Sequence, residues 1–167
     1  GLGYSRERLA KIGLQVDSDV PYCVYSETAL VSGRGEKVQP LGRLPQFWVV
    51  LAKPSVSVST PGILRAFDYD KKHLCPNTEV VLAGIKGLDF DLMVSGMANA
   101  LEDVTALRYP EITALKERML RYGADVAQMS GSGPTIFGLC AKKSRALRVY
   151  NSMKGFCKEV YLVHTLT

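Results

Sequence analysis

The stretch "ADVAQMSGSGPTIFGLCA", residues 124–141, reads as two short strands joined by a tight turn. "ADVAQM" and "TIFGLCA" have strand character, and "SGSGP" between them supplies glycine, serine and proline, the residues that turns favour. Downstream, "SRALRVYNSMKG" (144–155) reads as a helix and "EVYLVHTL" (159–166) as a further strand. Upstream lies the clearest helix, "PEITALKERMLRYG" (110–123). Pro110 opens it, Ile112, Leu115, Met119 and Tyr122 line one face, and Gly123 ends it. Earlier still, "STPGILRAFD" (59–68) has Ser59 or Thr60 as cap and Pro61 in the first turn. "NTEVVLAGIKG" (77–87) and "DFDLMVSGMANALED" (89–103) are expected as two more helices, interrupted by Gly84 and Gly96, and "FWVVLA" (47–52) as a buried strand. Helices combined with an antiparallel sheet give an α+β class, and this order of elements suggests a ferredoxin-like arrangement.

The opening third has a different character. "SRERLAKIG" is a short helix with Ser5 as cap and Gly13 as stop, and "TALVSGRGEKVQPL" (28–41) is a hairpin around Gly33-Arg34-Gly35-Glu36. The 167 residues suffice for one domain with a substantial core. Apolar residues make up 47% and charged residues 22%, no apolar run is long enough to cross a bilayer, and no signal peptide is evident at the start. The four cysteines are scattered and do not cluster with His73 or His164, which argues against a zinc site or disulfide framework and for a reducing cytoplasm. The net charge of +5 suits an anionic ligand, but the basic residues form no block. Too few aromatics lie on the strands for an RNA-binding sheet, so neither nucleic acid nor membrane is an expected partner.

Two stretches could carry chemistry. In "SGSGP" (130–134), Gly131 and Gly133 permit positive φ and leave backbone N–H groups uncovered, while Ser130 and Ser132 add hydroxyls; by itself the segment reads first as a solvated turn and second as a phosphate-approaching loop. It matches neither a Walker loop nor a dinucleotide fingerprint. In "DSDVPYC" (17–23), Asp19 stands either as the cap of a short helix through Val20 and Pro21 or as a base that takes a proton from a substrate hydroxyl. Arg34 of the hairpin is either an anion contact or a solvated turn residue.

Taken in order, "SDVPYCVYSETALVSGRGEKVQPL", "KPSVSVST", "NALEDVTALRYPEI", "GADVAQMSGSGPTIFGL" and "GFCKEVYLVHTL" resemble bacterial 4-diphosphocytidyl-2-C-methyl-D-erythritol kinases of the GHMP superfamily. The resemblance implies a small-molecule kinase that uses ATP and Mg2+ to phosphorylate the 2-hydroxyl of the cytidine diphosphate methylerythritol in the non-mevalonate route to isoprenoids. It implies Asp19 as the catalytic base and Ser130, Gly131, Ser132 and Gly133 as the segment supporting ATP. It also places Thr60 and Leu64 in the substrate pocket and assigns no protein metal ligand. Asn99 and Glu102 match a recurring N-x-L-E, for which helix-end hydrogen bonding is expected.

The same resemblance implies that residues 1–52 are a remnant of the GHMP N-terminal domain and 53–167 its C-terminal domain. The family's lysine and glycine- and serine-rich ATP loop are not among these residues, so the chain by itself is expected to be inactive and to need the missing N-terminal part as partner. Three departures stand out: Asp17 where glycine is usual, Ser26-Glu27 where a glycine pair is common, and Leu64 where many relatives carry an aromatic. The competing reading is a noncatalytic ligand-binding or interaction module derived from a GHMP kinase.

Overall fold

The computed structural model describes residues 3–165. The chain divides into two compact units, one up to Leu44 and one from Pro45.

The first unit contains helices α1 (Arg6–Gly13) and α2 (Val20–Tyr25) and a hairpin of β1 (Ala29–Ser32) and β2 (Lys37–Pro40). The Ser5 hydroxyl caps α1 by accepting from Arg8 N–H at 3.3 Å. A Cβ on Gly13 would sit 2.4 Å from Val20 Cγ1, so only glycine lets the end of α1 press onto the start of α2. The hairpin pairs in the expected register, with Ser32 opposite Lys37 and Ala29 opposite Pro40. Ser26 ends α2 in the left-handed region at φ +52°, a conformation that glycine adopts at least cost.

The second unit is a four-stranded antiparallel sheet in the order β4-β5-β3-β6. Its strands are β3 (Trp48–Lys53), β4 (Val126–Met129), β5 (Ile136–Cys140) and β6 (Glu159–His164). This is the strand order and the β–helix–β, hairpin, helix–β succession of a ferredoxin-like sheet. Five helices join β3 to β4: α3 (Thr60–Ala66), α4 (Thr78–Lys86), α5 (Phe90–Ser95), α6 (Glu102–Arg108) and α7 (Glu111–Arg121). Another, α8 (Lys143–Lys154), joins β5 to β6. Helices α7 and α8 cover one sheet face, where Val50, Ile112, Met119, Ile136, Val149 and Met153 are fully buried.

The structure departs from the sequence reading in three places. The single helix expected over 89–103 is broken after Ser95. A Cβ on Gly96 would lie 2.8 Å from the Asn77 carbonyl, and the chain turns there to bring Gly96 O onto Asn77 N at 2.9 Å before α6 begins at Glu102. Tyr122 lies beyond α7 and is 40% exposed rather than lining its buried face. The strand at 47–52, grouped with the first segment by sequence, is a central strand of the second unit, so the structural division falls at 44/45 instead of 52/53.

Candidate functional site

Asp19 occupies the N-cap position of α2, yet its carboxylate caps nothing among the described residues. The local bond runs the other way: Asp19 N–H donates to Asp17 Oδ1 at 2.9 Å, and Val20 N–H to Asp17 O at 3.3 Å. Asp17 therefore closes an Asx-type turn that fixes the backbone of Asp19 and leaves its carboxylate exposed and available. The carboxylate lines a concavity of about 880 Å³ with Lys11, Ser18, Arg34 and Glu36. Lys11 and Arg34 supply positive charge to that wall, and Lys11 drew no attention in the sequence because it sits on an ordinary solvated helix face.

The hairpin turn is held against the Asp19 segment by Gly35. This residue is buried with φ +101°, and a Cβ there would sit 2.0 Å from Ser18 O. Glu36 stiffens the turn by accepting from Arg34 N–H at 2.6 Å. Its own and the Arg34 backbone N–H groups hold its carboxyl below the usual range.

In the second unit, "SGSGP" forms a tight loop. Ser130 N–H donates to Thr135 O at 2.8 Å and Gly133 N–H to Ser130 O at 2.9 Å, with Gly131 at φ +56° and Gly133 at φ +88°. β4 is an edge strand, so the outward N–H and C=O of Met129 have no strand partner. Side chains satisfy them. Glu102 Oε2 accepts from Met129 N–H at 3.0 Å, while Asn99 Nδ2 donates to Met129 O at 2.7 Å and to Gly131 O at 2.8 Å. Lys116 of α7 neutralises Glu102 from its other oxygen. The N-x-L-E segment does close a helix start, through Leu101 N–H to Asn99 Oδ1 at 2.9 Å, but its main engagement is with the glycine loop some thirty residues away.

Thr60 opens α3 beneath a Ser59 cap, and its Oγ1 lies 2.6 Å from Ser132 Oγ, so a predicted substrate residue and the predicted ATP-supporting loop meet. Leu64 lies one helical turn beyond Thr60 and is 46% exposed. Asp19 belongs to the first unit and the other predicted site residues to the second. Among the described residues no three acidic, histidine or cysteine side chains converge as a metal site, and no helix is long and apolar enough to cross a membrane.

A family model described as GHMP kinases C terminal matches residues 82–159. The 4-diphosphocytidyl-2-C-methyl-D-erythritol kinase of Lactiplantibacillus plantarum is 61% identical over 155 residues, 93% of this chain and 54% of that protein. The enzyme of the same name from Levilactobacillus brevis is 60% identical over 166 residues, 99% of this chain and 58% of that protein. The match to the GHMP kinases C-terminal model thus takes in helices and strands from α4 to the start of β6. The chain spans a little over half the length of those curated relatives. Its fold matches a crystal structure of 4-(cytidine 5'-diphospho)-2C-methyl-D-erythritol kinase with a TM-score of 0.78 at 24% identity, covering 93% of this chain and 56% of that one. It also matches a homoserine kinase from Cytophaga hutchinsonii with a TM-score of 0.67 at 21% identity, covering 90% of this chain and 51% of that one.

Proposed function

We propose that the protein carrying this chain is an ATP-dependent, cytoplasmic kinase that phosphorylates the 2-hydroxyl of 4-diphosphocytidyl-2-C-methyl-D-erythritol. The single observation that carries the reading is an aspartate whose geometry suits a base. Asp19 stands at a helix start where a cap is expected, yet another carboxylate makes the local turn bond and leaves that of Asp19 uncommitted. Near 60% identity to enzymes of that name supports the choice of substrate.

In this reading the acceptor hydroxyl lies against Asp19, whose carboxylate takes the proton as the oxygen attacks the γ-phosphorus. The P–O bond to the bridging oxygen breaks and ADP departs. Lys11 and Arg34, on the same wall, offset the negative charge brought by the phosphates. Ser130, Gly131, Ser132 and Gly133 support the donor's phosphates, with Asn99 and Glu102 holding their loop in shape. Thr60 and Leu64 contact the acceptor. Magnesium would enter on the phosphate oxygens of the nucleotide, needing few protein ligands of its own.

The test is Asp19→Asn in the whole protein. Turnover should fall by roughly 100-fold or more, with a melting temperature near that of the parent because the carboxylate caps nothing among the described residues. A loss of stability with normal activity per folded molecule would make Asp19 structural and overturn the reading.

A further inference from the structure

Two segments that the proposed function gives to different ligands touch through a pair of hydroxyls. Thr60 belongs to the acceptor side and Ser132 to the donor loop, and their oxygens are 2.6 Å apart. Helix α6 secures both partners. Thr105, fully buried, shares its hydroxyl proton between Leu101 O at 3.0 Å and Ser132 O at 3.3 Å, and Arg108 donates to Gly62 O at 3.3 Å. The start of α3 and the glycine loop are thus tied to α6 and to each other, with the Thr60–Ser132 contact joining them directly.

Each hydroxyl has one proton to give and can accept at its oxygen. If Ser132 donates to Thr60, its proton is spent within the pair. If Thr60 donates to Ser132, the Ser132 proton is free to point at a third group. A ligand that donates a hydrogen bond to Thr60 Oγ1 favours the second arrangement, because Thr60 then turns its own proton toward Ser132. The outward Ser132 proton is a donor suited to an anionic phosphate oxygen, and a chain of hydroxyls aligned in one direction polarises cooperatively.

We infer that the Thr60–Ser132 pair relays acceptor occupancy to the donor loop, so that a polyol hydroxyl bound at Thr60 tightens the binding of a nucleotide phosphate at Ser132, and the reverse. The inference rests on the proposed function for the identity of the two ligands. By linkage the factor must be the same in both directions.

The experiment is calorimetric titration of the whole protein with the magnesium complex of a non-hydrolysable ATP analogue, with and without saturating 4-diphosphocytidyl-2-C-methyl-D-erythritol. The parent should show nucleotide affinity raised by acceptor about 2- to 12-fold, the range expected of one hydrogen bond. Thr60→Val and Ser132→Ala should each bring the ratio close to one while both ligands still bind. The double variant should show no further change, and Thr60→Ser should restore the ratio. A parent ratio of one, or an unchanged ratio in folded Thr60→Val, overturns the relay alone. If the parent binds neither ligand, the proposed function falls and the relay falls with it.

Discussion

The brace on the glycine loop makes a quantitative prediction at Glu102. Its side chain is 13% exposed, that of its partner Lys116 is 27% exposed, and its second oxygen holds the N–H of Met129, a residue 2% exposed. Glu102→Ala therefore has two costs. Leaving the buried Met129 N–H unpaired costs about 1–3 kcal/mol. Stranding the Lys116 ammonium adds about 1 kcal/mol, well below the 3–5 kcal/mol of a fully buried pair because water still reaches it. The expected total is about 2–4 kcal/mol. Glu102→Gln keeps the volume and an acceptor for Met129 and should lose only about 1–2 kcal/mol. Lys116→Met should lose a similar amount, and the double Glu102→Gln/Lys116→Met less than the sum of the two. Equilibrium urea denaturation reads these differences directly. Equal losses for Glu102→Ala and Glu102→Gln would refute the assignment of most of the cost to the Met129 amide. A loss below about 0.5 kcal/mol for Glu102→Ala, the level of an ordinary surface change, would refute the brace itself.

Two other predictions test separate parts of the chain. Gly35→Ala adds a methyl 2.0 Å from Ser18 O at φ +101°, so it should destabilise by about 1–3 kcal/mol and, by displacing the residue next to Asp19, lower kcat in the whole protein; unchanged melting and turnover would contradict this. Cys140 has its thiol pushed up to about 11 by burial and by the nearby Asp125 charge, while Cys23 and Cys75 are exposed, so a thiol reagent at pH 8 should modify two cysteines in the native chain and four after denaturation. Because the unfolded Cys140 thiol ionises near its ordinary value of 9.0 and the folded one only near 11, its contribution to stability is complete below about pH 9 and is lost as the pH rises towards 11. Denaturation midpoints measured across that interval for the parent and Cys140→Ala should converge.

Local signals carried much of the fold. The Ser5 cap, the Gly33–Glu36 turn and the apolar face of Ile112, Leu115 and Met119 are encoded within a few residues of the elements they specify, and each lies as expected. Gly96 is visible in the sequence as an interruption, but that it ends the helix was not legible, because what bends the chain there is its close approach to Asn77, nineteen positions earlier. The candidate site divides in the same way. The spacing N-x-L-E is visible in the sequence, but its engagement with Met129 and Gly131 depends on which edge of the sheet β4 occupies, and no local pattern states that. The role of Asp17 follows from neighbours two and three residues away, yet sequence alone does not choose which of two nearby carboxylates makes the turn bond.

The position of β3 bears on how the chain folds as it is made. The strand is complete by Lys53, but its two neighbours are β5 at 136–140 and β6 at 159–164. During synthesis its apolar residues and both rows of backbone groups must wait for more than eighty further residues, while α3 to α7 form from local sequence. Until then Val50 and Leu51 lie in an unpaired, aggregation-prone segment, so a ribosome stalled before residue 136 would present helices and an orphan strand to the chaperones of its host, and one edge of β3 would stay open until β6 emerged.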